Sequence, residues 1–258
     1  MSSEFLPVYG PVRSWRYGNS LGIDPIGAVS HCSFNCVYCQ LGEIEQITLT
    51  RQLFVPTEEI INLMPTQDLQ LVDVITLSGS GEPTLALNLG EILQTVGSLT
   101  PKPLIVLTNG SLLGDAQVRS ELLSANEVSI KLDGITSERV AKINRPAFVW
   151  QWDNFWHNLK EFRRIYGGKL TIQTMFLSQW TPAEVQSYIE HLQSLCPDHI
   201  YLNVPRRPKP RQRLLAGREN LNAVEFALHF KPLSLEYLAD LAQEIRQAGL
   251  TVSCSAES

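Results

Sequence analysis

At 258 residues, with 44% hydrophobic and 18% charged residues, the chain is long enough to bury a core without cross-links. A formal net charge of −5 argues against whole-molecule attraction to nucleic acid or an anionic membrane. No apolar run reaches the roughly 18 residues of a membrane span, and the opening MSSEFLPVYG lacks the pattern of a secretory signal. The expected location is therefore cytoplasmic, where thiols stay reduced and no membrane partner is needed.

In chain order, SLGIDPI (20–26) reads as a strand entering a cysteine-bearing loop. PTEEIINLM (56–64) reads as a helix with Thr57 as its N-cap and Glu58 and Glu59 in the positive first turn. VDVITLSG (72–79) is a buried strand, LGEILQTVGSL (89–99) a helix and PLIVLTNG (103–110) a strand ending in a turn signal. DAQVRSELL (115–123) is a helix, EVSIKLDG (127–134) a strand, and a helical region covers 136–165. LTIQTMFL (170–177) is a strand, PAEVQSYIEHLQSL (182–195) a helix with proline in its first turn, and HIYLNVP (199–205) a strand. SLEYLADLAQEIRQAG (234–249) is a helix ending at Gly249, and LTVSCS (250–255) adds a short last strand.

This alternation implies a parallel sheet with about six βα units. A closed TIM barrel has eight, so the expected fold is α/β, an incomplete (β/α)6 TIM-like barrel in a single domain spanning 1–258. Its core is expected over about 18–205, with 206–258 completing the fold. The same order of elements also fits an open doubly wound sheet. Polar residues gather at the C-terminal strand ends, where barrel sites form: Ser78 to Glu82, Thr108 and Asn109, Lys131 and Asp133, and Asn203.

Three of the five cysteines, Cys32, Cys36 and Cys39, fall within SHCSFNCVYCQLG (30–42). Three thiolates on one loop can bind three irons of a [4Fe-4S] cluster and leave the fourth iron an open position for chemistry. Structural zinc with His31 as fourth ligand is the bland alternative. Zinc ligands usually come as two pairs, yet Cys196 and Cys254 stand far apart, and His31 sits awkwardly beside Cys32. Cys196 and Cys254 read as buried small hydrophobes.

Cys32-x3-Cys36-x2-Cys39, with Tyr38 before the last cysteine, resembles the cluster motif of the radical S-adenosylmethionine (radical SAM) superfamily. SGSGEPTL (78–85) resembles that family's Gly-Gly-Glu segment, with Ser80 in place of the first glycine, and LTNG (107–110) is similar to its Ser/Thr-Asn-Gly strand end. The resemblance covers roughly 10–205. GPVRSWRYGNSLGIDPI, CVYCQLG, KLDG and KINRP resemble a subgroup of stand-alone iron–sulfur oxidoreductases related to tRNA wyosine synthases. The chain lacks the cysteines for the second cluster those synthases carry.

The resemblance implies a partial (β/α)6 barrel and a cluster whose open iron is chelated by S-adenosylmethionine. Reductive cleavage of that cofactor gives a 5′-deoxyadenosyl radical that abstracts hydrogen from a substrate. It places Tyr38 near the adenine and Ser80, Gly81 and Glu82 at the methionine amino end. Asn109 then lies near the methionine carboxylate or ribose, with Gln173 and Asn203 near ribose or adenine. Lys131 would bind the cofactor carboxylate or a substrate anion, and Asp133 would orient substrate. The expected reductant is a low-potential flavodoxin or ferredoxin. The substrate reads as tRNA, or as a small metabolite or peptide. A cluster-bearing electron carrier without catalysis and a zinc-stabilised binding module are the readings from other classes.

Two further segments have competing readings. FVWQWDNFWHNLKEF (148–162) holds three of the five tryptophans and could stack bases, but Trp152, Phe155, Trp156 and Leu159 follow the spacing of a helical core face. RRPKPRQR (206–213) follows the sixth strand and is either a solvated loop or a phosphate contact. Arg206 and Arg207 are its candidate substrate residues, with Arg13 and Arg16 as possible companions.

Overall fold

The computed structural model describes residues 5–219, 227–231 and 233–255. Among them, one sheet holds its strands in chain order: β1 (Val8–Ser14), β2 (Gly18–Ile23), β3 (Val74–Leu77), β4 (Leu104–Thr108), β5 (Glu127–Lys131), β6 (Lys169–Met175), β7 (His199–Asn203) and β8 (Val252–Cys254). β1 and β2 form an antiparallel hairpin, and every later pair is parallel. Helices α1 (Thr57–Leu63), α2 (Leu89–Leu99), α3 (Ala116–Leu122), α4 (Ser137–Asn144), α5 (Trp152–Ile165), α6 (Pro182–Leu195) and α7 (Leu235–Gln247) connect the parallel strands. β2 through β7 are each followed by a helix, so the sheet curls into an open half-barrel, the expected incomplete (β/α)6 TIM-like barrel. The short last strand forms as β8.

Alternation along the strands separates two faces. Leu21, Ile75, Leu104, Val106, Val128 and Leu170 are buried toward the helices, and the register sets them side by side across the sheet. Ser20, Thr76, Leu107, Lys131 and Gln173 face the concave side instead and line a cavity there.

Several local expectations are corrected. β1 was not expected, because Gly10 and Pro11 interrupt its pattern; Pro11 is tolerated because β1 is an edge strand. Pro56, not Thr57, holds the N-cap position of α1; the buried Thr57 hydroxyl accepts a bond from Asn88 Nδ2 at 3.0 Å. The region 136–165 is two helices, because α4 ends at Arg145 in the left-handed region and Pro146 follows. In α5, Phe155, Trp156, Leu159 and Phe162 are buried and Trp152 stacks on Trp156, so the tryptophan-rich stretch is core. Cys254 is buried as expected, but Cys196 is exposed where α6 ends.

Candidate active site

The chain leaves β2 at the rim formed by the C-terminal strand ends. Asp24, fully buried there, accepts backbone bonds from Ile26 (3.0 Å) and Gly27 (3.3 Å), which turn the chain into the cysteine loop. Its second oxygen accepts from Ser80 N at 2.8 Å and pairs with Arg218 at 2.9 Å.

The segment after β3 is fastened to that loop through its backbone. His31 N donates to Ser80 O (3.2 Å) and Glu82 N donates to His31 O (3.0 Å). A Cβ on Gly81 would lie 1.7 Å from His31 O, so only glycine allows this approach. The Ser80 hydroxyl turns the other way and accepts from Arg213 Nη2 at 2.8 Å. Glu82 is buried; its carboxylate accepts from Thr84 N (3.1 Å), Thr84 Oγ1 (2.7 Å), the Thr108 hydroxyl and Asn109 N (2.7 Å). Burial pushes its pKa up, against the pull of those donors.

The cysteine sulfurs receive N–H donors, that of Cys39 from the Leu41 backbone. Cys32 Sγ accepts from Phe34 N (3.4 Å) and Asn109 Nδ2 (3.7 Å), and Cys36 Sγ accepts from Asn144 Nδ2 (3.4 Å). Asn144 also donates to Asp133 Oδ2 at 2.7 Å. That carboxylate receives the Tyr38 hydroxyl as well, and its other oxygen accepts from Met175 N at 2.8 Å. Asp133 thereby ties the cysteine loop, β6 and the end of α4 together. Lys131 Nζ sits 4.9 Å from the centre of the Tyr38 ring.

The basic segment after β7 folds over the cysteine loop. Lys209 is only 1% exposed; its ammonium pairs with Glu43 (2.8 Å) and donates to Cys36 O (3.3 Å). Arg213 pairs with Glu45 (3.4 Å), and Leu214 N donates to Leu41 O (2.9 Å). A Cβ on Gly42 would lie 2.2 Å from Gln212 O, which shows how closely the two backbones approach. Arg206 and Arg211 are exposed, so the segment is in part a solvated loop and in part a clasp.

Under the clasp lies a cavity of about 620 Å³. Cys36, Cys39, Tyr38, Lys131, Gln173, Asn203, Arg206 and Arg207 line it. Cys32, Ser80, Gly81, Glu82, Asn109 and Asp133 are outside its lining and belong to the surrounding rim. Sequence reasoning missed Asp24, Asn144, Lys209, Arg213 and Arg218. Asp24-Pro25 directly after a strand was a usable signal for the first; the others are polar residues whose partners lie far away in sequence.

The donor set fits an iron–sulfur cluster. The three cysteines are free thiols on one loop, with N–H groups aimed at the sulfurs. Among the described residues no three His, Cys, Asp or Glu side chains gather around a single ion; thiolates that each hold a separate iron need no common point. Burial raises all three thiols, Cys36 to about 12, and for Cys39 a backbone hydrogen bond from Leu41, then Lys209, Arg213 and Lys131, pull the other way. Binding of iron at these thiols would displace those protons.

The model of the Radical SAM superfamily matches residues 28–192. The chain is 47% identical over 260 residues to the UPF0026 protein slr1464 of Synechocystis sp., covering 99% of this chain and 98% of that protein. Its structure is similar to Streptococcus suis SuiB bound to S-adenosylmethionine, with a TM-score of 0.63, 14% identity and coverage of 88% of this chain and 48% of that one. It is also similar to TsrM, a radical S-adenosylmethionine methyltransferase from Kitasatospora setae, with cobalamin and a [4Fe-4S] cluster bound (TM-score 0.50, 15% identity, 73% of this chain and 37% of that one). The chain thus spans half or less of these two solved chains, and the likeness to them is one of fold.

Proposed function

The chain is an enzyme of the Radical SAM superfamily, and on that premise we propose that Cys32, Cys36 and Cys39 hold a [4Fe-4S] cluster whose remaining iron takes S-adenosylmethionine. When bound, these groups supply reductive cleavage of the cofactor to methionine and a 5′-deoxyadenosyl radical, which abstracts hydrogen from the substrate. The observation that carries this reading is the three-thiol loop, with N–H donors on its sulfurs, opening through Cys36 and Cys39 onto a cation-lined cavity. The S-adenosylmethionine bound to SuiB and the [4Fe-4S] cluster bound to TsrM support it by analogy.

The chain's own residues then divide the work. Asn109 and Asn144 orient Cys32 and Cys36. Asp133 fixes Tyr38 by its hydroxyl, so that the ring is held at the cavity wall beside the adenine position. Ser80, Gly81 and Glu82 form the rim for the methionine amino end, Glu82 by holding the segment in place. Gln173 and Asn203 contact ribose or adenine, and Lys131 meets an anionic group. Residues 1–258 act as one domain, served by a flavodoxin or ferredoxin. The finer reading from the wyosine-synthase resemblance is a tRNA substrate, which would engage the exposed Arg206 together with Arg207.

The test is anaerobic reconstitution with iron and sulfide, reduction with dithionite and addition of S-adenosylmethionine. The expected result is 5′-deoxyadenosine from wild type and none from Cys36→Ala. Full product from Cys36→Ala would refute the cluster assignment. Iron without product would favour the electron-carrier reading.

A further inference from the structure

The cavity lining is charged on one side only. Six cations line it, Arg13, Arg16, Lys131, Arg206, Arg207 and Arg218, and among the described lining residues there is no Asp or Glu. This is opposite in sign to the chain as a whole, which carries −5. Arg218 is neutralised by Asp24. Arg16 and Arg207 make no ion pair with a carboxylate among the described residues, and each has a buried guanidinium nitrogen without a hydrogen-bond partner, Nε of Arg16 and Nη1 of Arg207. An unsatisfied buried donor costs roughly 1–3 kcal/mol, more when charged, and an incoming anion relieves it. Burial also holds both guanidinium groups below their usual pKa, and for Arg207 no charged neighbour offsets it.

The proposed cofactors bring one carboxylate, that of S-adenosylmethionine, and Lys131 is a partner for it. Three thiolates on an oxidised four-iron core leave a small negative charge, and S-adenosylmethionine chelating through a neutral amino group adds none, its sulfonium and carboxylate cancelling. Their sum stays small, and Arg207 still has no charged partner among the described residues.

We propose that the substrate is a small phosphate-bearing molecule bound inside this cavity, with its phosphate held by Arg207 or by Arg16. This inference rests on the radical-enzyme reading and names its substrate class. Guanidinium forks match phosphate oxygens two at a time. The cavity of about 620 Å³, which the proposed cofactors share, is of the size of small-molecule sites. Arg16 and Arg207 are part-buried in the cavity wall, whereas Arg13 and Arg206 are exposed, and the rest of the basic segment is tied to the cysteine loop by Lys209 and Arg213, which shortens the exposed basic track for a polynucleotide. Trp15 and Tyr17, whose rings lie 5.8 and 5.7 Å from the Arg16 guanidinium, give the same wall a flat apolar surface.

The experiment titrates inorganic phosphate and pyrophosphate calorimetrically into the reconstituted protein supplied with S-adenosylmethionine. A parallel arm titrates bulk tRNA at several salt concentrations. Binding of phosphate or pyrophosphate is expected in wild type, weakened tenfold or more in Arg207→Gln or Arg16→Gln, with iron content and S-adenosylmethionine affinity unchanged. If Arg16→Gln does not fold, Arg207→Gln and the double variant Arg206→Gln/Arg207→Gln decide. No binding of either anion in wild type, or a parallel loss of S-adenosylmethionine affinity, overturns the inference. So does steeply salt-dependent tRNA binding that is lost in Arg206→Gln/Arg211→Gln, with no small-anion binding. Failure of the wild type to assemble a cluster overturns the radical-enzyme reading and this inference with it; an intact cluster without anion binding overturns this inference alone.

Discussion

At the scale of single residues, the site is held by carboxylates that are already fully occupied. Glu82 accepts four hydrogen bonds from Thr84, Thr108 and Asn109 in a buried position, and Asp133 receives Tyr38, Asn144 and Met175. Removing such an acceptor leaves several donors unsatisfied at once. Glu82→Ala should therefore destabilise the fold by about 3 kcal/mol, with iron retention falling in step. Urea titration of the apo protein reads the first effect. An unchanged midpoint with weakened cofactor binding would instead give Glu82 a direct contact with the ligand. Asp133 belongs with Glu82 in this respect: what distinguishes it is the Tyr38 ring and the Cys36 sulfur that it positions through their shared partners.

At the scale of elements, the clasp over the cysteine loop has unequal fastenings. The pairs Lys209–Glu43 and Arg213–Glu45 use carboxylates that are 50% and 40% exposed, so water screens them. Arg218–Asp24 is different, with side chains only 3% and 0% exposed. Arg218 also lies over the Tyr9 ring, 4.4 Å from its centre. Arg218→Met should cost about 3 kcal/mol, because it leaves the Asp24 carboxylate buried without its counter-charge. Adding Asp24→Asn should recover part of that loss, and a double-mutant cycle in thermal unfolding measures the coupling; strictly additive effects would show that the pair holds nothing together. The strand–helix order was legible because apolar alternation and helix signals are local. So were the three cysteines, whose spacing is itself the motif. The clasp was not legible: 206–213 reads as a plain basic run, and nothing near Lys209 in sequence announces Glu43 or Cys36 as its partners. The hairpin strand β1 was hidden for the opposite reason, since Gly10 and Pro11 look like breakers unless the strand is known to be an edge.

At the scale of the whole molecule, the proposed cluster loop and the fold share their supports. The cysteine loop rests on the ends of β3, β4 and β5 beneath and on the clasp above. A cluster that binds the folded chain and not the unfolded one stabilises by mass action. Stripping iron with a chelator should lower the melting temperature and quicken protease cleavage within 206–219 before cleavage elsewhere. Equal cleavage rates with and without iron would show that the clasp closes independently of the cluster.

The strands also lie in the order in which they are synthesised. Each new strand from β2 onward can dock on the one made before it, so the half-barrel can grow on the ribosome as the chain emerges. The cysteine loop cannot be finished in that way. It is made near the beginning, but its cover waits for Lys209, Arg213 and Arg218, more than 160 residues later. During that interval the thiols stand open to solvent and oxygen, and the nascent chain has a half-built barrel before it has a protected place to receive metal. If the loop holds the proposed cluster, delivery of iron belongs after release, or to a carrier that shields the loop until the clasp closes.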